Sequence, residues 1–295
     1  MDSREQALVT VVASVGDLPA LPSVVAEVMQ ITNDPGATVL QISECIQRDP
    51  ALAAKILKVS NSPYYGMRQH VATLKLALVV LGMRQVRNIV LGVTVFENLR
   101  DHVRGQTWLR DLWRHSVLVG ALSKKLGAAL ALGLQGEDFV VGLLHDIGKV
   151  ILYNGLGTAY DSIIEASGSG HSDELCALER ESLGFDHADA VAALATHWGL
   201  PVSLGDALWR HHAMADQRRL SAAEDPRLAG VVRIANLAAH DDFSSGDAAQ
   251  CASCLEQEAW GAVASPKTPE DVAARFELLS GFRKELAETP ELSFE

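Results

Sequence analysis

Apolar residues in this chain recur at helical spacing almost from end to end, and no segment shows convincing period-two alternation with β-branched enrichment. Leu52, Ile56 and Val59 fall at i, i+4 and i+7, while Val86, Ile89, Val90 and Val93 mark a second core-facing stripe. Start and stop residues agree with this reading. Thr38 with Gln41 fits a capping box, in which the two side chains satisfy two orphan backbone N–H groups. Asp49-Pro50 reads as an N-cap followed by proline at the first helical position, and Ser172 and Asp186 are further candidate N-caps. Gly184 and Gly199 follow apolar runs, where the left-handed closing residue of a helix is expected. The expected fold class is all-α.

With 295 residues, 48% hydrophobic and 21% charged, the chain has ample apolar surface for a core and is not composed like a disordered one. A formal charge of −12 disfavours nucleic acid as the main partner, because phosphate binding draws on Lys and Arg. Met1-Asp2-Ser3-Arg4-Glu5 lacks the basic-then-apolar layout of a secretory signal. The longest apolar stretch, Val71 to Phe96, is broken by Lys75, Arg84, Arg87 and Asn88, so no membrane span is expected. Lys55, Lys58, Arg84 and Arg87 read as solvated polar faces of an N-terminal lobe. Cys45, Cys176, Cys251 and Cys254 are too few for a disulfide scaffold. Cys251-Ala252-Ser253-Cys254 has neither a second pair for zinc nor a βαβ context for redox chemistry, and reads as structural. The expectation is a cytosolic protein with reduced thiols.

Composition shifts suggest an N-terminal helix over 1–16, a main domain over 17–245 and a C-terminal helical extension over 246–295. Within the main domain, 17–104 reads as a lobe of short helices joined by Pro, Gly and Asn turns such as Leu18-Pro19-Ala20-Leu21-Pro22 and Asn61-Ser62-Pro63-Tyr64-Tyr65-Gly66. Residues 105–245 hold eight of the ten histidines.

Asp111, His115, His145-Asp146, His187, His211-His212 and Asn236 lie within that second lobe. Imidazole with carboxylate suits Zn, Fe, Mn or Ni. The groups are tens of residues apart, so each sits on its own helix and can converge at the centre of a bundle. Asp111 and His115, four apart, project from one helical face. His187 follows a candidate cap, and the helix N-terminus there favours the neutral ring that ligation requires. Spacing alone leaves open whether these are ligands or ordinary core histidines. His70, His102, His171, His197 and His240 read as ordinary surface or core residues.

His145-Asp146-Ile147-Gly148-Lys149, preceded by Gly142-Leu143-Leu144, resembles the signature of the HD superfamily of metal-dependent phosphohydrolases. Around it the chain resembles the HDOD (HD-related output domain) family of bacterial signalling proteins. The resemblance rests on Leu18-Pro19-Ala20-Leu21-Pro22, the run from Asp49-Pro50 to Leu57, Asn61-Ser62-Pro63-Tyr64, Leu81-Gly82, Gly184-Phe185-Asp186-His187, Trp198-Gly199-Leu200-Pro201 and His211-His212. It runs from about residue 17 to residue 240. It implies an all-α, HD-domain-like bundle with an N-terminal helical lobe, acting in signal transduction and usually without demonstrated catalysis.

By similarity to the related HD-GYP cyclic-di-GMP phosphodiesterases, His115, His145, Asp146, His187, His211 and His212 are implied as ligands of a divalent metal, mononuclear or dinuclear, Fe, Mn, Ni or Zn. Asp111 would sit where that group places a carboxylate for an additional ion. Two departures weigh against catalysis. The last HD ligand is normally an aspartate and here is Asn236, unless Asp241 or Asp242 folds back to replace it. Nothing after it resembles the Gly-Tyr-Pro segment. Lys149, one turn after His145-Asp146, either holds a phosphate oxygen or is a solvated helix-end lysine. Three readings follow. One is a regulatory HDOD protein with a metal centre that binds signalling proteins or a small phosphorylated ligand. The second is a phosphohydrolase acting on a cyclic dinucleotide or another nucleotide, with Asp146 and Lys149 in its active site. The third is a metal-free helical scaffold.

Overall fold

The structure, a computed structural model, describes residues 18–62, 70–100, 108–167, 173–212, 218–241 and 243–288, and among these every regular element is helical. The expected helix over 1–16, the Ser172 cap, residues 63–66 of the Asn61 turn, His102, His171 and Asp242 lie outside the described residues.

Among the described residues, five helices make the N-terminal part: α1 (Ser23–Asn33), α2 (Val39–Gln47), α3 (Pro50–Ser60), α4 (Leu74–Leu81) and α5 (Met83–Arg100). The expected caps form. The Thr38 hydroxyl accepts from Gln41 N–H while the Gln41 side chain accepts from Thr38 N–H, and Asp49 caps α3 with Pro50 at its first position. Asn61 closes α3 by donating to the Leu57 and Val71 carbonyls and accepting from Val71 N–H. Arg84 is exposed as expected, but Arg87 is not. It is buried beside Asn88, with Glu137 3.8 Å away.

The histidine-bearing part is built from α6 (Trp108–Ala129), α7 (Glu137–Leu144), α8 (Ile147–Leu156), α9 (Thr158–Ala166), α10 (Asp173–Leu183), α11 (His187–His197), α12 (Val202–Trp209) and α13 (Pro226–His240). Here α6 packs on α7 and α13, and α11 packs on α8 and α12. Asp186 caps α11 in a reciprocal box with Asp189, while Gly184 and Gly199 take the expected positive φ after α10 and α11. Three further helices follow: α14 (Ala252–Leu255), α15 (Gln257–Ala262) and α16 (Val272–Ala287). One apolar cluster reaches from Leu18 to Leu286. The two stretches Leu18-Pro19 and Trp198-Gly199, distant in sequence, meet where Trp198 Nε1 donates to the Pro19 carbonyl.

The segment Glu137–Leu156 is long and apolar enough by composition to cross a membrane, but 78% of its apolar window is buried inside the protein. Its apolar character fits a central core element. Cys45, Cys176, Cys251 and Cys254 are buried and free of disulfides.

Two contacts set how closely the central helices approach. A Cβ on Gly148 would lie 1.9 Å from the His187 carbonyl oxygen, so α8 reaches the start of α11 only because residue 148 has no side chain. Gly148→Ala should therefore lower stability by about 1–3 kcal/mol through overpacking. Chemical denaturation measures this, and an unchanged midpoint would contradict the close approach. The second contact is Asp138 on α7, whose Oδ2 a Cβ on Gly127 of α6 would meet at 2.5 Å, and whose pKa burial raises from 3.8 to about 6, with the Phe139 N–H and Lys124 opposing. A carboxyl that holds its proton more tightly folded than unfolded destabilises the fold as pH rises from 3.8 to 6. The penalty then stays at about 3 kcal/mol. Asp138→Asn should match the wild type near pH 4 and exceed it by roughly that amount at pH 7. A pH-independent difference would contradict this.

Candidate metal centre

His145 and Asp146 are the two-residue break between α7 and α8, so both side chains leave one junction at the middle of the bundle. His115 projects from α6, His187 opens α11, His211-His212 follow α12 and Asn236 lies on α13. Local chemistry explains each position. The Asp186 cap begins α11 at His187. Buried Arg233 on α13 pins the segment after α12 by donating to the carbonyls of Arg210, His212 and Arg218. The structure thus brings together all six residues of the expected ligand set, with Asn236 beside them, each at most 8% exposed.

Their inward atoms form two groups that share Asp146: His115 and His145 on one side, His187, His211 and His212 on the other. The two carboxylate oxygens divide between them. Oδ2 lies 3.4 Å from His145 Nε2 and 3.7 Å from His115 Nε2. Oδ1 lies 3.2 Å from His187 Nε2 and 3.6 Å from His211 Nε2. Within the groups, His115 Nε2 is 3.2 Å from His145 Nε2 and 3.0 Å from Asn236 Oδ1, and His187 Nε2 is 3.1 Å from His212 Nε2.

Four far nitrogens face acceptors. His145 Nδ1 meets the Gly142 carbonyl at 2.7 Å and His211 Nδ1 the Leu208 carbonyl at 2.6 Å. His187 Nδ1 meets Glu179 Oε2 at 2.7 Å and His212 Nδ1 meets Asp173 Oδ1 at 2.6 Å. Carbonyl and ionised carboxylate oxygens only accept, which assigns the proton to each Nδ1. A neutral ring then presents a bare Nε2 inward. Lone pairs facing each other at hydrogen-bond distance repel unless a proton or cation lies between them, and His211 Nε2 is buried without a hydrogen-bond partner among the described residues. Imidazole nitrogens around one carboxylate, each ring fixed by an outer acceptor, are a donor set that fits Zn, Fe, Mn or Ni.

Burial holds His211 and His212 well below the usual histidine pKa, with neighbouring imidazoles adding to the effect. His187 goes the other way. Burial pushes it down, but the Glu179 carboxylate, with Cys176 and the Asp146 carboxylate adding to it, raises it well above the usual value. The sequence reading, that a helix N-terminus keeps His187 neutral, is corrected here: a buried carboxylate 2.7 Å away outweighs the helix end. A metal ion held at Nε2 would take the place of a proton there.

Three other expectations change. Asp111 is exposed in the first turn of α6 and does not join either ligand group. Lys149 is neither solvated nor turned to an open space. It lies in the first turn of α8, 2% exposed, and its Nζ donates to Asp146 Oδ2 at 2.7 Å. Asp241 does not fold back, because its carboxylate accepts from Cys251 Sγ–H and from the backbone N–H groups of Ala252 and Ser253. His240, read as ordinary, stacks on His115 with ring centroids 4.5 Å apart. Glu179 and Asp173 were missed. No fixed spacing links either to the histidine it holds, and only the convergence of α10 on α11 and His212 reveals them.

A curated relative, an uncharacterized protein of Treponema pallidum (strain Nichols), is 26% identical over 200 residues, covering 67% of this chain and 38% of its own length. The chain thus spans less than two fifths of that relative. A crystal structure of a candidate phosphohydrolase from Shewanella amazonensis SB2B superposes with a TM-score of 0.67 at 26% identity, over 95% of this chain and 93% of the other. An HDOD domain protein with unknown function from Geobacter sulfurreducens superposes with a TM-score of 0.74 at 19% identity, over 96% of both chains, which shows the fold. The family of HDOD domains matches residues 18–214. The chain belongs to the HDOD domain family.

Proposed function

We propose that this protein is a signal-transduction or regulatory HDOD protein of the cytosol. In this reading it retains a two-ion centre around Asp146 and acts by binding a protein partner or a small phosphorylated ligand without turning it over. His115, His145 and Asp146 Oδ2, with Asn236, hold one ion, and His187, His211, His212 and Asp146 Oδ1 hold the other. The observation that carries the reading is enclosure. A catalytic ion keeps a position open to substrate, whereas a structural one is closed, and every ligand residue here is at most 8% exposed. Asn236 supports it, because a neutral amide lowers the negative charge that holds an ion. Lys149 supports it too, since its Nζ is engaged by Asp146. Bound divalent ions supply the positive charge that the facing nitrogens lack and so lock α6, α8, α11 and the segment after α12 to one another. The state of the bundle is then coupled to occupancy of the centre.

A second reading, hydrolysis of a phosphoester, is favoured by the intact His145-Asp146 pair and by the likeness to the Shewanella structure. It requires Lys149 to leave Asp146 and the centre to open. When bound, such an ion acts as a Lewis acid on a phosphoester.

Elemental analysis of protein purified without a polyhistidine tag should find about two divalent ions per chain, and Asp146→Asn, which removes the shared carboxylate, should lose both. Metal-free wild type would overturn the proposal in favour of a plain helical scaffold. With Mn or Fe supplied, cyclic di-GMP and simple phosphodiesters should remain intact. Hydrolysis that disappears in His145→Ala and Asp146→Ala would establish the second reading instead.

A further inference from the structure

The outer nitrogens of four rings around Asp146 are held by two kinds of partner. His145 and His211 lean on the carbonyls of Gly142 and Leu208, each three residues earlier in the chain. No side-chain substitution removes those acceptors. His187 and His212 instead lean on carboxylates, and both carboxylates come from one helix, α10. Glu179 is fully buried. Its Oε2 accepts from both Nδ1 and the backbone N–H of His187, at 2.7 and 2.9 Å, and its Oε1 accepts from the Tyr160 hydroxyl on α9. Asp173 is the first residue of α10, and its side chain is 53% exposed while the His212 ring it holds is 5% exposed.

We propose that α10 is the positioning element of the His187–His212 pair, with Glu179 and Asp173 aiming the two Nε2 atoms at the second ion, and that this pair is adjustable from outside through Asp173. The inference rests on the two-ion reading above. Glu179, tied to α9 through Tyr160, is the fixed anchor. Asp173 is the variable one, because its carboxylate reaches both a buried imidazole and solvent. A cationic side chain of a partner that pairs with Asp173 would withdraw the acceptor from His212 and loosen the second ion. The first ion, which takes neither His187 nor His212, would stay. Glu179 and Asp173 are thus positioning residues that act through His187 and His212.

Calorimetric titration of the metal-free chain with Zn²⁺ tests this. The wild type should bind in two steps. Glu179→Gln and Asp173→Asn should each weaken the second step by about 10–100-fold and leave the first within about twofold, and Asp173→Glu should restore it. Equal loss of both steps, or no loss, would overturn the proposal. A second measurement does not depend on metal. Nitrogen-15 NMR of the metal-free wild type should place a proton on Nδ1 of His187 and of His212, with the His187 Nδ1–H resonance moving upfield in Glu179→Gln as its charge-assisted bond is lost. Bare Nδ1 atoms in the wild type would overturn the proposal. If the wild type takes up no Zn²⁺, the two-ion reading fails on its own, and the NMR result decides the role of α10.

Discussion

Imidazole nitrogens facing one another around a single buried carboxylate are the constraint on which the rest of this structure depends. A helical bundle of this size can fill its centre with Leu, Ile and Val, and most of this one does. At the junction of α7 and α8 it instead buries five imidazoles and Asp146 at distances of 3.1–3.7 Å. Burying polar groups is unfavourable unless each finds a partner. The outer nitrogens of four rings find theirs in carbonyls and carboxylates, which forces the inner nitrogens to face each other. Such an arrangement is self-consistent only with positive charge at its centre. In its absence the raised pKa of His187 supplies some of that charge as a proton. A bound metal ion would supply that charge in the proton's place.

Much of the architecture exists to hold that geometry. Gly148 lets α8 meet the first residue of α11. The Asp186 cap also binds Arg180 and Arg218, so the turn that presents His187 is braced by two guanidinium groups. Arg233 gathers three carbonyls of the segment carrying His211 and His212, and is itself paired with Glu258 on α15. Asp241, at the end of α13, is held by α14. The C-terminal helices, beyond the stretch that matches the family, therefore support α13, the helix that places Asn236 and His240 beside His115.

The fold class was legible in the sequence because it follows from local and repeated signals, and the resemblance singled out the six residues that meet at the centre of the bundle. Capping residues at Thr38, Asp49 and Asp186 act over three or four positions, and periodicity is a property of each helix alone. Five of those six residues are histidines, which cluster in the second lobe, but spacing alone did not separate them from His197 and His240. What lay beyond reach depends on relations between helices. Glu179 is one acidic residue among several on α10 until the fold sets it against His187. Asp111 shares a helical face with His115, but being one turn nearer the end of α6 leaves it in solvent. Lys149 looked like a solvated or phosphate-facing lysine because the sequence shows its distance along the chain from Asp146, not that the carboxylate takes its charge. Helix-end electrostatics for His187 failed for the same reason: the deciding charge comes from another helix.

The account stands on ions flanking the Asp146 carboxylate, and anomalous diffraction from crystals of natively purified protein tests this most directly. Data collected at the absorption edges of Fe, Mn, Ni and Zn should show one peak on the His115–His145 side of Asp146 and another on the His187–His211–His212 side. A difference map with only water, or with Lys149 and protonated imidazoles satisfying Asp146 alone, would contradict the central claim.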